Sequence, residues 1–207
     1  NRKFDFLTGG MIHCTPTVLK DGTVLISSTD GNVYFVAPDK THRIFHTDGA
    51  LIHSEPVVLK DGTIVFGSYD NYVYFVNPDA TLKAKYKTGD WVHSSPAILN
   101  EGTDKETVVI GSNDGKVYFL NPDGTLKKTF TTQGKVISSP RIMPNGIVAI
   151  ASYDHTLYFL DEDANLKGKY RADGKIWSTP TVLPDGKTVA FGSGDKNVYF
   201  LEYTGEK

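Results

Sequence analysis

Three histidines recur at one place in the sequence, each of them three residues before a proline. His13, His53 and His93 are spaced 40 residues apart, so a folded repeat would bring them to one side of the molecule. Imidazole is a good ligand for zinc, copper or nickel. A metal site also needs converging nitrogens and acceptors for the second ring nitrogens, which spacing alone does not supply. We therefore expect no bound metal, and these histidines are only a weak candidate for a metal site.

Catalysis would need paired carboxylates, or a nucleophile beside its base. Glu55 lies directly before Pro56 and two positions after His53, and a hydrolase could combine it with an aspartate from a neighbouring turn. No G-x-S-x-G nucleophile elbow is present. We therefore expect no enzyme, and a hydrolase centred on Glu55 is the last alternative. Serines also recur two positions before four prolines, at Ser54, Ser94, Ser138 and Ser178.

Aromatic and polar residues concentrate in the same segments. Both tryptophans precede these prolines, and several tyrosines and aspartates lie in turns expected at the same end of the fold. Such a concentration is typical of an interaction surface. We predict that it binds a protein or peptide, and a carbohydrate is the alternative ligand. The predicted residues are His13, His53, His93, Trp91, Trp177, Tyr69, Tyr72, Tyr153, Asp70 and Asp154.

The aspartates of these turns have a simpler interpretation. One recurs in each repeat, at Asp30, Asp70, Asp114, Asp154 and Asp195. In an Asx turn the carboxylate accepts a hydrogen bond from the backbone two residues further on. We expect this structural role at all five positions, with ligand binding as the alternative.

The elements that position these residues form a repeat. Prolines 16, 56, 96, 140 and 180 follow one another at spacings of 40, 40, 44 and 40 residues, a period typical of propellers and solenoids. Each unit contains an apolar run after the proline, a hairpin such as TVVIGSNDGKVYFL, and a piece that alternates lysines with an aromatic residue. Four short strands per unit, which we name a to d, predict a propeller blade.

The two ends of the chain match complementary parts of one unit. Residues 2–7 match strand d, with Phe6 in its aromatic position, whereas residues 176–207 match strands a, b and c. A linear solenoid would instead carry polar caps at both ends. We therefore predict an all-β fold, a closed five-bladed β-propeller with four antiparallel strands per blade. Residues 1–207 would form a single domain, and the N-terminal strand would complete the last blade.

The composition of the chain argues against several classes of partner and site. The chain has 22 basic and 24 acidic residues, so it lacks the positive excess typical of nucleic-acid binding. Cys14 is the single cysteine and excludes an internal disulfide. No apolar run approaches the ~20 residues of a membrane span. We expect a monomer that has no cofactor, binds no nucleic acid and has no membrane span.

The repeat also resembles a known family. The phrase S-x-D-G-x-V-Y-F-[VL], followed by G-x-x-x-x-S-x-P, resembles the pyrroloquinoline-quinone-like repeat of bacterial propellers, of the outer-membrane assembly lipoprotein type. The resemblance covers all five units and implies a propeller in a periplasmic or extracellular location. Repeats of this family often end strand d in tryptophan. Smaller rings stand there in this chain, at Phe6, Phe45, Tyr86, Phe130 and Tyr170.

The same resemblance argues against quinone chemistry. The quinone dehydrogenases with similar repeats use eight blades, adjacent cysteines against the cofactor, and a calcium site with a catalytic aspartate. One cysteine and five units leave no positions in this sequence onto which that chemistry can be transferred.

Overall fold

The computed structural model describes residues 3–205 and folds them into five separate antiparallel sheets. The first blade contains β1 Thr17–Val18, β2 Val24–Ser27, β3 Asn32–Val36 and β4 His42–His46, and the second contains β5 Val57–Val58, β6 Ile64–Gly67, β7 Tyr72–Val76 and β8 Leu82–Lys87. The third contains β9 Ala97–Leu99, β10 Thr107–Gly111, β11 Lys116–Leu120 and β12 Leu126–Thr131, and the fourth contains β13 Arg141–Ile142, β14 Val148–Ala151, β15 Thr156–Leu160 and β16 Leu166–Arg171. The fifth contains β17 Thr181–Val182, β18 Thr188–Gly192 and β19 Val198–Glu202.

The all-β prediction is confirmed, and four of the five sheets have the predicted four strands in the order a, b, c, d. Residues 3–205 contain no helix that is long and apolar enough to cross a membrane.

The turn between strands b and c requires a left-handed residue directly after its aspartate. In the first and third blades this residue is glycine, and Gly31 and Gly115 both have φ of 84°. Glycine adopts this conformation without a steric cost. The other three blades place Asn71, His155 and Lys196 there, also at positive φ. The shared backbone geometry gives all five turns the same shape.

The core lies between neighbouring blades rather than within one sheet. Val73 and Phe75 of β7 pack against Ile110 and Tyr118 of the third blade. The same pattern recurs at each of the four junctions between consecutive blades. Strands b and c of the second, third and fourth blades are buried on both faces for this reason, so their sequences read as continuous apolar runs. We call the face of a blade that receives its predecessor the incoming face.

The predicted closure by an N-terminal strand is not formed in this structure. Residues 3–7 have no strand conformation, and among the described residues the fifth sheet ends at β19. The N-terminal segment instead follows the first blade, where Phe6 packs edge-on against Tyr34 and His42. Residue 2 and residues 206–207 of the predicted closing blade lie outside the described residues. Among the described residues each apolar core cluster joins two consecutive blades and none joins the fifth blade to the first, so the five blades form an arc with two distinct ends.

A line of hydrogen bonds marks the same ends. The residue before each proline donates its backbone N–H to the side chain of its counterpart in the next blade. This line passes from Thr15 to Glu55 (3.3 Å), to Ser95 (2.9 Å), to Ser139 (2.9 Å) and to Thr179 (3.3 Å). It joins all five blades through their inner strands, and Thr179 is its last member.

Candidate functional site

The segments before the prolines and the b–c turns meet at one end of the arc, as predicted. The segment that joins strand d of one blade to strand a of the next, and contains the residues before the proline, is called the d–a segment. Backbone N–H groups of Tyr69, Asn113 and Tyr153 in the b–c turns donate to carbonyls of the neighbouring d–a segments. We call this end the mouth. It is built from backbone hydrogen bonds, so side chains on both kinds of loop are held in a fixed arrangement.

The serine column lies beneath the mouth and has a structural role. Ser54 and Ser94 are fully buried, and their hydroxyls accept the N–H groups of Gly67 (3.0 Å) and Gly111 (3.2 Å) at the ends of β6 and β10. Cys14 takes the equivalent place in the first blade and donates to the Ser27 carbonyl. Burial raises the pKa of the Cys14 thiol. These side chains close hydrogen bonds of the fold.

The three histidines are brought together, as their spacing predicted, and they stack. The ring centroids of His13 and His53 lie 4.9 Å apart with an interplanar angle of 10°. His53 and His93 lie 5.2 Å apart at 26°. Stacked imidazoles direct their nitrogens outward from the ring edges and not toward a common point between the rings. No group of three or more His, Cys, Asp or Glu side chains with metal-binding geometry occurs within residues 3–205.

The rings of Tyr69 and Trp91 extend the stack of histidines. Tyr69 stacks on His53 at 5.1 Å and on Trp91 at 4.8 Å. His13 and Trp91 are exposed, Trp91 by 49%, whereas the rings of His53, His93 and Tyr69 between them are partly buried. We call these five rings, His13, His53, His93, Tyr69 and Trp91, the aromatic stack. It presents a flat aromatic face that is supported from behind by other rings.

The other predicted aromatic residues divide between two places. Trp177, 53% exposed, meets Tyr153 edge-on at 6.1 Å and forms a second aromatic pair on the mouth. Tyr72 lies apart from both groups. Its ring packs against Tyr74, and the Lys85 ammonium lies 4.4 Å from the centroid of the Tyr72 ring.

The turn aspartates are Asx residues, as predicted, and their second oxygen has an additional role. Asp70 accepts the Tyr72 N–H at 3.1 Å through one oxygen and the Tyr74 hydroxyl at 2.6 Å through the other. Asp154 is bonded in the same way to Thr156 N–H and the Tyr158 hydroxyl. These hydrogen bonds leave Asp70 and Asp154 with less capacity for a ligand than the exposed rings.

This aspartate–tyrosine pairing repeats in all five blades, as Asp30–Tyr34, Asp70–Tyr74, Asp114–Tyr118, Asp154–Tyr158 and Asp195–Tyr199. Burial, together with the carboxylate, raises the pKa of Tyr158 to about 12. Tyr158 therefore acts as a neutral donor at physiological pH.

Glu55 lies in a different region, a cavity lined by the inner strands. This cavity of about 480 Å³ is lined by Glu55, Glu101 and Arg141 together with serine and threonine side chains. Glu55 accepts the Thr15 N–H at 3.3 Å and so takes part in the line of hydrogen bonds between blades. The turn aspartates that a two-carboxylate mechanism would recruit are bonded to tyrosines and backbone amides.

One residue of the mouth was not found by sequence reasoning. The Lys175 ammonium lies 5.6 Å from the centroid of the Tyr153 ring, so a cation flanks the second aromatic pair. The sequence feature that could have identified Lys175 is its position in a d–a segment, two residues before Trp177. Lysine is so frequent on the exposed strands that the signal was not distinctive.

Acidification should destabilise the aromatic stack. Burial and repulsion from His93 and His13 lower the pKa of His53, and burial lowers the pKa of His93. The unfolded chain, with histidine pKa values of about 6.5, then takes up protons before the folded chain does. The stability that the neutral rings contribute is therefore fully present above about pH 6.5 and is lost as the pH falls below this value. We expect a smaller free energy of unfolding at pH 5.5 than at pH 7.5, measured by urea denaturation.

The variant His53→Gln should reduce this pH dependence, because it removes the ring at the centre of the stack. His46→Gln is the matched control, since His46 is an exposed histidine on β4 whose ring bonds to the Asn32 side chain (2.8 Å) and is not part of the aromatic stack. A pH dependence that is the same in His53→Gln as in the parent would show that the stack is not its source.

The fold is similar to solved β-propellers. The WD40 β-propeller domain of Doa1 superposes with a TM-score of 0.70 over 88% of this chain and 61% of that chain, at 19% identity. BamB from Moraxella catarrhalis superposes with a TM-score of 0.80 over 99% of this chain and 66% of that chain, at 16% identity. This chain thus spans less than two thirds of either structure. No protein-family model and no curated protein matches the sequence. The observed sheets and these likenesses together show that the chain has a β-propeller fold.

Proposed function

We propose that the protein is a non-catalytic binding module whose mouth engages a protein or peptide. The observation that carries the proposal is the aromatic stack, in which the partly buried rings of His53, His93 and Tyr69 support an exposed indole, Trp91. Large aromatic residues that are held rigid in the free protein contribute strongly to interfaces, since little side-chain entropy is lost on binding. The second aromatic pair, with Trp177, supplies another anchor on the same end.

The chemistry of the mouth favours a peptide with apolar or aromatic side chains. The Tyr69 and Trp91 rings are nearly parallel, at 13°, and expose the flat face of the indole to solvent. Such a face gains from covering by an aliphatic, aromatic or proline side chain. Lys175 beside Tyr153 adds a cation that can meet a carboxylate of the ligand.

A non-catalytic role is supported by the state of the polar groups. The buried serines bond to strand ends, the turn aspartates bond to tyrosines, and Glu55 bonds to the Thr15 backbone. A catalytic base or nucleophile needs a free hydrogen-bonding position directed at its substrate. The resemblance of the repeat to bacterial propellers further supports a periplasmic or extracellular location.

Replacing Trp91 should weaken binding selectively. Peptides are first selected on the wild-type protein from a displayed library. Their binding is then followed by intrinsic fluorescence, because both tryptophans lie on the mouth. We expect Trp91→Ala to raise Kd at least about tenfold, since a central aromatic anchor contributes about 2 kcal/mol or more. Trp177→Ala should have a smaller or similar effect, according to how far the peptide reaches.

The matched control is Leu126→Ala. Leu126 is 44% exposed but begins β12, at the end of the blade opposite the mouth. Equal losses for Trp91→Ala and Leu126→Ala would refute a site at the mouth. Failure to select any peptide, with specific binding on a glycan array that is lost in Trp91→Ala, would assign the mouth to carbohydrates instead.

A further inference from the structure

The outer side of the fifth blade is unpartnered in the described part of the chain. β19 has no neighbouring strand beyond it. Val198 and Phe200 on this strand are 66% and 65% exposed. An open strand edge that carries large apolar side chains is a template for pairing with another segment.

The equivalent residues of other blades show what covers such a strand. Val73 and Phe75 of β7 are fully buried. Strand β8 of the same blade pairs with β7, and the third blade packs across the face that carries these side chains. The surface missing from the fifth blade is therefore a strand d followed by the incoming face of another blade.

The N-terminal end of the chain has this arrangement. Phe6 packs edge-on against Tyr34 at 5.5 Å, as Phe45 of β4 packs against Tyr74 at 5.5 Å in the next junction. Residues 3–7 thus already lie where the strand d of a preceding blade would lie.

The incoming face of the first blade is correspondingly open. Val24 and Ile26 are only half-buried there, whereas the equivalent Ile64 and Phe66 of the second blade are fully buried.

Ile12 and Gly192 form a second pair of complementary features, an exposed apolar side chain at one end and an unfilled space beside a glycine at the other. Ile12 is 45% exposed, and its counterparts Ile52, Val92, Val136 and Ile176 are all fully buried. Val136 lies so close to Gly111 of the preceding blade that a Cβ at Gly111 would be 2.4 Å from it. Gly192 is the counterpart of Gly111, and a Cβ there would meet only Ser178, at 3.7 Å. The isoleucine and its receiving glycine thus lie at opposite ends of one chain.

We propose that the protein associates head to tail with a second copy of itself. β19 of one copy pairs with residues 3–7 of the next, and Val198 and Phe200 pack on the incoming face around Tyr34. This contact repeats between chains the packing that occurs four times within the chain. Residues 3–7 already occupy the strand d place, so both blades can keep their present form. A head-to-tail contact of this kind builds a ring or an open series of copies, in contrast to the monomer expected from the sequence.

The register of the new strand pair follows from the existing blades. In the second blade Tyr72 lies opposite Lys87. Counting from the aromatic position of each strand d, the equivalent pair between copies is Asn197 and Leu7. Both side chains are exposed in a single copy, Leu7 by 92%, so cysteines can replace them without disturbing the core.

A disulfide trap tests this pairing. Two chains are prepared, each with Cys14→Ser, one carrying Leu7→Cys and the other Asn197→Cys. We expect the oxidised mixture to give a covalent dimer on a non-reducing gel, in at least tenfold excess over either chain alone. A chain carrying both cysteines that forms only an internal disulfide, with no dimer from the mixture, would overturn the proposal in favour of closure within one chain. Absence of any crosslink would also overturn it.

Light scattering over a range of concentrations supplies an independent readout on the unmodified chain. We expect the apparent mass to rise at least twofold above that of one chain. Phe200→Lys should return it to one chain, and the exposure of Phe200 means that a single copy should still fold. Leu126→Lys is the control, because Leu126 is exposed on a strand away from both ends. A single-chain mass at every concentration would refute the proposal.

Discussion

Gly111→Ala should destabilise the protein by about 3 kcal/mol, at the upper end of what one added methyl group costs in a packed core. A Cβ at this position would lie 2.4 Å from Val136 Cγ1 and 2.9 Å from the Val136 carbonyl oxygen. Val136 is fully buried in the junction between the third and fourth blades, so neither its side chain nor its backbone can move aside freely. Urea or thermal unfolding measures the loss.

Gly192→Ala is the matched control for this variant. It makes the same change at the same place in the fifth blade, where the nearest atom to a Cβ is Ser178 Oγ at 3.7 Å. In dilute solution, where single copies dominate, we expect a neutral effect or a gain of about 0.5 kcal/mol from the reduced freedom of the unfolded chain. Equal losses in the two variants would mean that the cost comes from the strand itself and not from the approach of the next blade.

The sequence predicted those features that depend on local chemistry. The Asp-Gly and Pro-Asp turns, the apolar runs of strands b and c, and the proline period were sufficient for five sheets in the right order. Five turn aspartates at fixed places predicted Asx turns, which the structure confirms. Each of these inferences needs only a few neighbouring residues.

Closure of the ring could not be derived in this way. Complementary partial units at the two ends are equally compatible with a closed ring and with copies joined end to end. The difference depends on the angle between blades, to which ring contacts at the junctions, such as that of Phe45 with Tyr74, contribute. An edge-on contact between two aromatic side chains is a property of their relative placement, which no spacing in the sequence records.

The aromatic stack shows the same limit at the site. A period of 40 residues placed His13, His53 and His93 in one column, but it did not determine whether their nitrogens converge or their faces stack. The structure has them stacked, at 4.9 and 5.2 Å. This distinction underlies the proposed function, since converging rings suit a metal ion and stacked rings with an exposed tryptophan suit an organic ligand.

Asp114→Ala is expected to be nearly as damaging as Gly111→Ala, with a loss of about 3 kcal/mol, because each hydrogen bond to a charged group contributes about 1.5–3 kcal/mol. The Asp114 carboxylate accepts the N–H groups of Lys116 and Gly89 at 2.9 and 2.8 Å, and also the hydroxyl of the buried Tyr118. Since Gly89 belongs to the second blade and Tyr118 to the third, one side chain joins two blades.

Comparison with Asp123→Ala separates this bridging role from that of the turn. Asp123 is also an Asx residue, but both of its hydrogen bonds go to Thr125 in the same exposed loop, so its loss should be much smaller. Tyr118→Phe removes only the hydroxyl and should be intermediate. If Asp114→Ala and Asp123→Ala cost the same, the carboxylate stabilises its own turn alone, and the blades are held together by apolar packing without help from the aspartate–tyrosine pairs.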